Sequence, residues 1–102
     1  MKQNKNTKVW LAAGLRTPFV KESKEFKDIS AIDLSVSVVN NMKRKEQINP
    51  DYVTWGTVVP SLMYSNIARD IILESELNDT TIGFSSTMAC STSLLATIQA
   101  AS

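Results

Sequence analysis

Short apolar segments alternate with longer amphipathic segments along the chain, and this alternation limits the possible folds more than any other feature. Residues 8–15, 52–59 and 81–88 have the composition of strands, and helical periodicity follows each of them. Strands that alternate with helices favour a parallel sheet with crossover helices. The sequence therefore predicts an α/β fold of the order βαβαβα, with a mostly parallel sheet.

Each of the three predicted helices has an apolar face. The first begins at Ser30, where a hydroxyl followed three residues later by Asp33 makes a capping-box pattern, and it fades by Gln47. The second covers residues 65–77, and the third begins at Cys90. The predicted apolar faces comprise Ala31, Leu34, Val38 and Met42 in the first helix, Ile67, Ala68, Ile71 and Ile72 in the second, and Leu94, Leu95, Ile98 and Ala101 in the third.

Length and charge exclude several classes of protein. A chain of 102 residues is enough for one small domain, and three strands with their helices bury little apolar surface. With 11 basic and 10 acidic residues, the net charge of +1 creates no strong field for nucleic acid or an anionic membrane. No apolar run approaches the roughly 20 residues that a membrane span needs. We expect residues 1–7 to be a polar leader and residues 8–102 to form one domain.

The cysteine and histidine contents limit the chemistry. A single cysteine rules out an internal disulfide and fits a reducing compartment, so a cytoplasmic location is predicted. The absence of histidine excludes histidine-based metal sites and Cys–His catalysis within these residues.

Cys90 is the residue with the clearest chemical potential. It lies between a predicted strand and a predicted helix, where unpaired backbone N–H groups and the helix dipole favour a thiolate. Ligands of open α/β sheets also bind beyond the carboxyl ends of the strands. The competing interpretation is a small buried hydrophobic residue, which composition alone favours for a lone cysteine. Spacing does not decide between the two.

Five short motifs in the same order resemble the amino-terminal region of the thiolases. They are Arg16-Thr17-Pro18-Phe19, Ser30-Ala31-Ile32-Asp33-Leu34, Trp55-Gly56-Thr57-Val58-Val59, Asn66-Ile67-Ala68-Arg69 and Ala89-Cys90-Ser91-Thr92-Ser93-Leu94. The motifs themselves run from Arg16 to Leu94, and the resemblance extends from about residue 8 to residue 102. The hydroxyl residues after Cys90 are similar to those in thiolase subunits of fatty-acid β-oxidation complexes, and also to the Ala-Cys-Ser-Ser-Ser element of the related ketosynthases.

The resemblance implies a thiolase-like fold, of which this chain would be an incomplete amino-terminal half-domain. It implies that Cys90 attacks an acyl-coenzyme A or acetyl-coenzyme A and forms an acyl-enzyme. Because coenzyme A enters as part of the substrate, the resemblance implies neither a metal nor a prosthetic group. In the family, an activating histidine and a second, proton-moving cysteine come from the carboxy-terminal half, and the enzymes form homo-oligomers. Residues that bind coenzyme A are not assigned. Arg16, Asn66 and Arg69 are expected to brace loops and helix starts.

Three interpretations follow from the sequence. The first is a thiolase fragment that is inactive alone, with a ketosynthase-type condensing enzyme as a variant of it. The second is a non-catalytic module that pairs with a full-length thiolase through an open sheet edge. The third is a free-standing α/β domain with a structural cysteine, which leaves the five ordered motifs unexplained.

Overall fold

The computed structural model describes residues 8–102, and the predicted polar leader at residues 1–7 lies outside the described part. The elements are α1 (Ala31–Glu46), β1 (Tyr52–Gly56), α2 (Ile67–Glu74), β2 (Ile82–Ser86), a short 3-10 turn (Ala89–Ser91) and α3 (Thr92–Ala101). The strands are parallel, with Tyr52 opposite Ile82 and Gly56 opposite Ser86. The predicted α/β class and the parallel sheet are therefore confirmed.

The helices cover both faces of this sheet. On the first face, the backbone N–H of Ala68 in α2 donates to the hydroxyl of Ser85 at 3.0 Å. On the second, the hydroxyl of Thr54 donates to the carbonyl of Ala96 in α3 at 3.0 Å. Because side chains alternate between the faces of a strand, these contacts place α2 and α3 on opposite sides.

The core lies between the first face of the sheet, α2 and α1. Ile71 and Ile72 are almost fully buried, at 0% and 1% exposure. Val53 and Trp55 of β1 pack against the same cluster, and α1 stacks on α2. The predicted apolar face of α2 is confirmed, since Ile67, Ala68, Ile71 and Ile72 are all buried.

The prediction of a strand at residues 8–15 is wrong. This segment is neither helix nor strand in the structure, and Trp10 and Leu11 are 81% and 92% exposed. A strand exists only when its backbone pairs with a neighbour, and β1 and β2 pair with each other instead. The described residues therefore form the order αβαβα, one strand short of the prediction.

The buried faces of α1 and α3 also differ from prediction. In α1 the buried residues are Ile32, Ser35 and Val39, which lie on the stripe beside the predicted one. Ser35 fits there because its hydroxyl donates to the carbonyl of Ala31 at 2.7 Å. In α3 the buried residues are the small Thr92 and Ala96, whereas Leu94 and Ile98 are more than half exposed. Close approach to the sheet, rather than apolar area, selects the packed face.

Candidate active site at the β2–α3 turn

Cys90 lies in the middle of the 3-10 turn that joins β2 to α3. Its position between a strand end and a helix start was predicted from the sequence, and the structure confirms it. Cys90 is free and exposed. The interpretation of Cys90 as a small buried hydrophobic residue is therefore wrong, and the thiol is accessible to a reagent or substrate.

The residue before the cysteine has a left-handed backbone. Ala89 has φ of 45°, a region that residues with a Cβ rarely occupy. Such a conformation costs on the order of 1–3 kcal/mol and persists only where the surroundings enforce it. A sharp, strained turn from strand to helix is also how α/β-hydrolases expose their nucleophile. Here the strained residue lies directly before the exposed Cys90.

The hydroxyl of Thr92 makes hydrogen bonds that hold the left-handed backbone of Ala89. It accepts a hydrogen bond from the backbone N–H of Met88 at 2.7 Å and lies 2.7 Å from the carbonyl of Ala89. The carbonyl of Thr57, beyond the end of β1, is 3.3 Å away. Thr92 itself is only 3% exposed. One hydroxyl thus links both sides of Ala89 to the neighbouring strand.

Gly56 makes room for this arrangement. A Cβ at position 56 would overlap Cγ2 of Thr92 and lie 3.3 Å from its Cβ. In the sequence, Gly56 and Thr92 appear only as members of two of the five motifs, and neither residue is assigned a role. Their contact joins residues that are far apart in the chain, so no local pattern could have revealed it.

The ends of both strands carry hydroxyl groups beside the Cys90 turn. The hydroxyls of Thr57 and Thr87, at the carboxyl ends of the two strands, are 3.5 Å apart. Among residues 8–102, no three acidic or cysteine side chains cluster as metal ligands would. A groove of about 430 Å³ beside β1 is lined by residues such as Leu15, Val39 and Trp55, and Cys90 is not among them. The chemistry offered here is that of an exposed thiol on a constrained turn.

Arg16, Asn66 and Arg69 were expected to brace loops and helix starts, and their contacts are largely of this kind. The side-chain oxygen of Asn66 caps α2 and accepts from the Ser85 hydroxyl at 2.5 Å, and its amide donates to the carbonyl of Gly83. Arg69 donates to the carbonyl of Asp79 at 2.8 Å, which holds the turn before β2. The guanidinium of Arg16 lies 4.2 Å from the ring centre of Phe19 and donates to the carbonyl of Thr17 at 3.0 Å, so these contacts lie within its own loop. In the described part of the chain, no helix is both long and apolar enough to cross a membrane.

Comparison with known families decides the assignment of the chain. The family model for the thiolase N-terminal domain matches residues 9–102. The chain belongs to the thiolase family. The match begins within the predicted domain and runs through the Cys90 turn, so the resemblance drawn from the five motifs is confirmed.

Individual relatives of this thiolase-family chain are 3-ketoacyl-CoA thiolases. The chain is 36% identical over 100 residues to that of Shewanella sp. (strain W3-18-1) and 37% identical over 97 residues to that of Colwellia psychrerythraea. These matches cover 95% and 92% of the chain. They cover only 23% and 22% of the two relatives, so the chain spans less than a quarter of their length.

Proposed function

We propose that this chain supplies the acyl-accepting cysteine of a thiolase that acts on 3-ketoacyl-coenzyme A, and that Cys90 is the nucleophile. The observation that carries the proposal is the exposure of Cys90 on a strained strand-to-helix turn, in a chain of the thiolase family. The relatives are 3-ketoacyl-CoA thiolases, and this activity suggests the substrate class.

The proposed chemistry is covalent catalysis in two steps. The Cys90 thiolate attacks the keto carbonyl, and the bond between that carbon and the neighbouring α-carbon breaks. The acyl group stays on sulfur, while acetyl-coenzyme A leaves as a carbanion that takes up a proton. The thiol of a second coenzyme A then takes the acyl group and frees Cys90. Splitting one difficult reaction into two easier ones is the benefit of the covalent intermediate. The backbone N–H of Cys90 is proposed to stabilise the oxyanion that forms in each step.

Further groups must come from outside these 102 residues. The sequence contains no histidine and no second cysteine, so it has neither group for activating the thiol or moving the substrate proton. We therefore propose that this chain alone does not turn over and that additional thiolase polypeptide completes the site. Coenzyme A enters as part of the substrates, no prosthetic group takes part, and the location is proposed to be cytoplasmic.

Acetyl transfer to the purified chain tests the role of Cys90. The wild-type chain and a Cys90→Ser variant are incubated with acetyl-coenzyme A, and the modified residue is mapped by peptide mass spectrometry. We expect one acetyl group on Cys90 of the folded chain, formed faster than in the same chain unfolded in guanidinium. Equal rates in the folded and unfolded chains would show that the turn contributes nothing to acyl transfer.

Pairing with another thiolase polypeptide is the second candidate function, and the sheet edge favours it. β1 has β2 on one side, and within residues 8–102 no strand lies on its other side. An open strand edge pairs readily with another chain. Light scattering of the chain with and without a full-length thiolase tests this function, which predicts a complex. A single monomeric species in both samples would contradict it.

A further inference from the structure

Thr92 begins α3, two positions after Cys90 in the chain. Cys90 is exposed, whereas Thr92 is 3% exposed and faces the end of β1. A buried hydroxyl so close to an exposed thiol calls for an explanation, because a buried polar group costs free energy unless its hydrogen bonds are satisfied.

The hydrogen bonds of Thr92 are unusual for the first turn of a helix. Threonines in helices often donate to a carbonyl three or four residues earlier, and the contact with the Ala89 carbonyl is of this kind. The bond that Thr92 accepts from the Met88 N–H is an additional constraint. Since a hydroxyl has one proton and two acceptor positions, the Ala89 and Thr57 carbonyls compete for the proton while Met88 occupies a lone pair.

This arrangement fixes the one strained residue of the turn. The Met88 N–H lies before Ala89 and the Ala89 carbonyl lies after it, so the Thr92 hydroxyl fixes both ends of the residue whose φ is 45°. The backbone N–H of Thr92 donates to the same Ala89 carbonyl. The peptide unit after Ala89 carries the N–H of Cys90, so its orientation determines where that N–H and the Cys90 side chain point.

We propose that Thr92 is a positioning residue for Cys90: its hydroxyl holds the left-handed Ala89 and thereby aligns the Cys90 N–H and thiol for attack on a carbonyl. This inference rests on the proposed function of Cys90 as an acyl acceptor. The role belongs to the hydroxyl, while the methyl group of Thr92 packs against Gly56.

Two reactions of the same thiol provide the test. p-Nitrophenyl acetate acetylates Cys90 through an oxyanion, so its rate depends on the alignment of the N–H with the thiol. Iodoacetamide alkylates Cys90 without an oxyanion, so its rate reports exposure and thiolate content alone. The ratio of the two second-order rate constants is measured for wild type, Thr92→Val, Thr92→Ser and the control Thr97→Val. Thr97 is an exposed threonine of α3 whose hydroxyl donates only to the Ser93 carbonyl, at 2.9 Å.

We expect Thr92→Val to lower the ratio by about tenfold or more, since small misplacements of reacting groups have effects of this size. Thr92→Ser and Thr97→Val should keep the wild-type ratio. An unchanged ratio in Thr92→Val would overturn the proposal. If Thr92→Val does not fold, Thr92→Ser and Thr92→Ala decide, because they differ only in the hydroxyl. Equal ratios in that pair would also overturn it.

The test is separable from that of the proposed function. p-Nitrophenyl acetate reacts with any accessible thiol, so the ratio is measurable whether or not the chain accepts an acetyl group from coenzyme A. A ratio that depends on Thr92, together with no transfer from acetyl-coenzyme A, would reject the proposed function and keep the positioning role. Transfer from acetyl-coenzyme A together with a ratio independent of Thr92 would keep the proposed function and reject the positioning role of Thr92.

Discussion

Gly56 at the end of β1 and Thr92 at the start of α3 are packed so closely that no Cβ fits at position 56. The contact joins the sheet to the helix that follows Cys90. It also brings the Thr92 hydroxyl within reach of the Thr57 carbonyl. The contact between Gly56 and Thr92 therefore sets the distance between α3 and the sheet.

Replacing Gly56 with alanine should displace α3. We expect Gly56→Ala to lower the free energy of unfolding by about 1–3 kcal/mol, the usual cost of forcing extra volume into a packed site. Urea unfolding followed by circular dichroism measures it. Gly14→Ala is the control, because a Cβ at Gly14 meets nothing within 4 Å. A Gly56→Ala variant as stable as Gly14→Ala would show that the contact is not tight.

Relief of the strain at Ala89 should separate stability from reactivity. Glycine adopts positive φ freely, so Ala89→Gly should raise the free energy of unfolding by up to about 1 kcal/mol. The freed turn should also lower the ratio of acetylation to alkylation at Cys90. Gln47→Gly is the matched control, since Gln47 ends α1 with φ of 52°, far along the chain from Cys90. A lowered ratio in Gln47→Gly, or an unchanged one in Ala89→Gly, would contradict this prediction.

The two helix caps should differ in strength. Ser30 makes a single capping bond, to the N–H of Asp33 at 3.1 Å, so Ser30→Ala should cost about 1 kcal/mol. Asn66 caps α2 and also bonds Gly83 and Ser85 of β2, so Asn66→Ala should cost about 2 kcal/mol or more. Urea unfolding of both variants measures the difference. Equal costs would mean that the bonds from Asn66 to β2 contribute nothing.

The ion pair between Arg44 and Glu76 should make stability depend on pH. The hydrogen bond from the Arg44 guanidinium lowers the pKa of the Glu76 carboxyl. A lowered pKa in the folded state contributes stability above the ordinary glutamate pKa of about 4.3, and this contribution is lost as the pH falls through the lowered value. Glu76→Gln should therefore be less stable than wild type at pH 7, by a small margin because the pair is exposed.

Thermal unfolding from pH 7 into the acid range measures this dependence. The difference between wild type and Glu76→Gln should begin to shrink as the pH falls below the ordinary glutamate pKa and should vanish below the lowered pKa of folded Glu76. It should also shrink at high salt. Glu74→Gln removes the same charge from the exposed end of α2 and serves as the control. A difference that persists in acid would show that the carboxylate of Glu76 is not its source.

Local signals in the sequence predicted the elements that depend on local contacts. Ser30 and Asn66 cap their helices because capping involves residues three positions apart. The apolar face of α2 was also predictable, since Ile71 and Ile72 belong to a dense helical stripe. Residues 8–15 have the composition of a strand, but strand formation depends on pairing with a neighbour, which composition does not specify.

The candidate site also has one part that the sequence predicted and one part that it did not. The position of Cys90 between a strand and a helix follows from the order of the elements. The role of Thr92 does not, because a hydroxyl at a helix start has several common local uses. Only the contacts with Met88, Gly56 and Thr57 distinguish Thr92 from the exposed Thr97.

A chimeric enzyme tests the central claim, that Cys90 is a thiolase nucleophile, most directly. Residues 9–102 of this chain replace the matching segment of the 3-ketoacyl-CoA thiolase of Shewanella sp. (strain W3-18-1), and coenzyme A-dependent cleavage of a 3-ketoacyl-coenzyme A is measured. We predict that the folded chimera cleaves the substrate and that Cys90→Ala abolishes cleavage. A folded chimera without activity, or one whose activity survives Cys90→Ala, would contradict the claim.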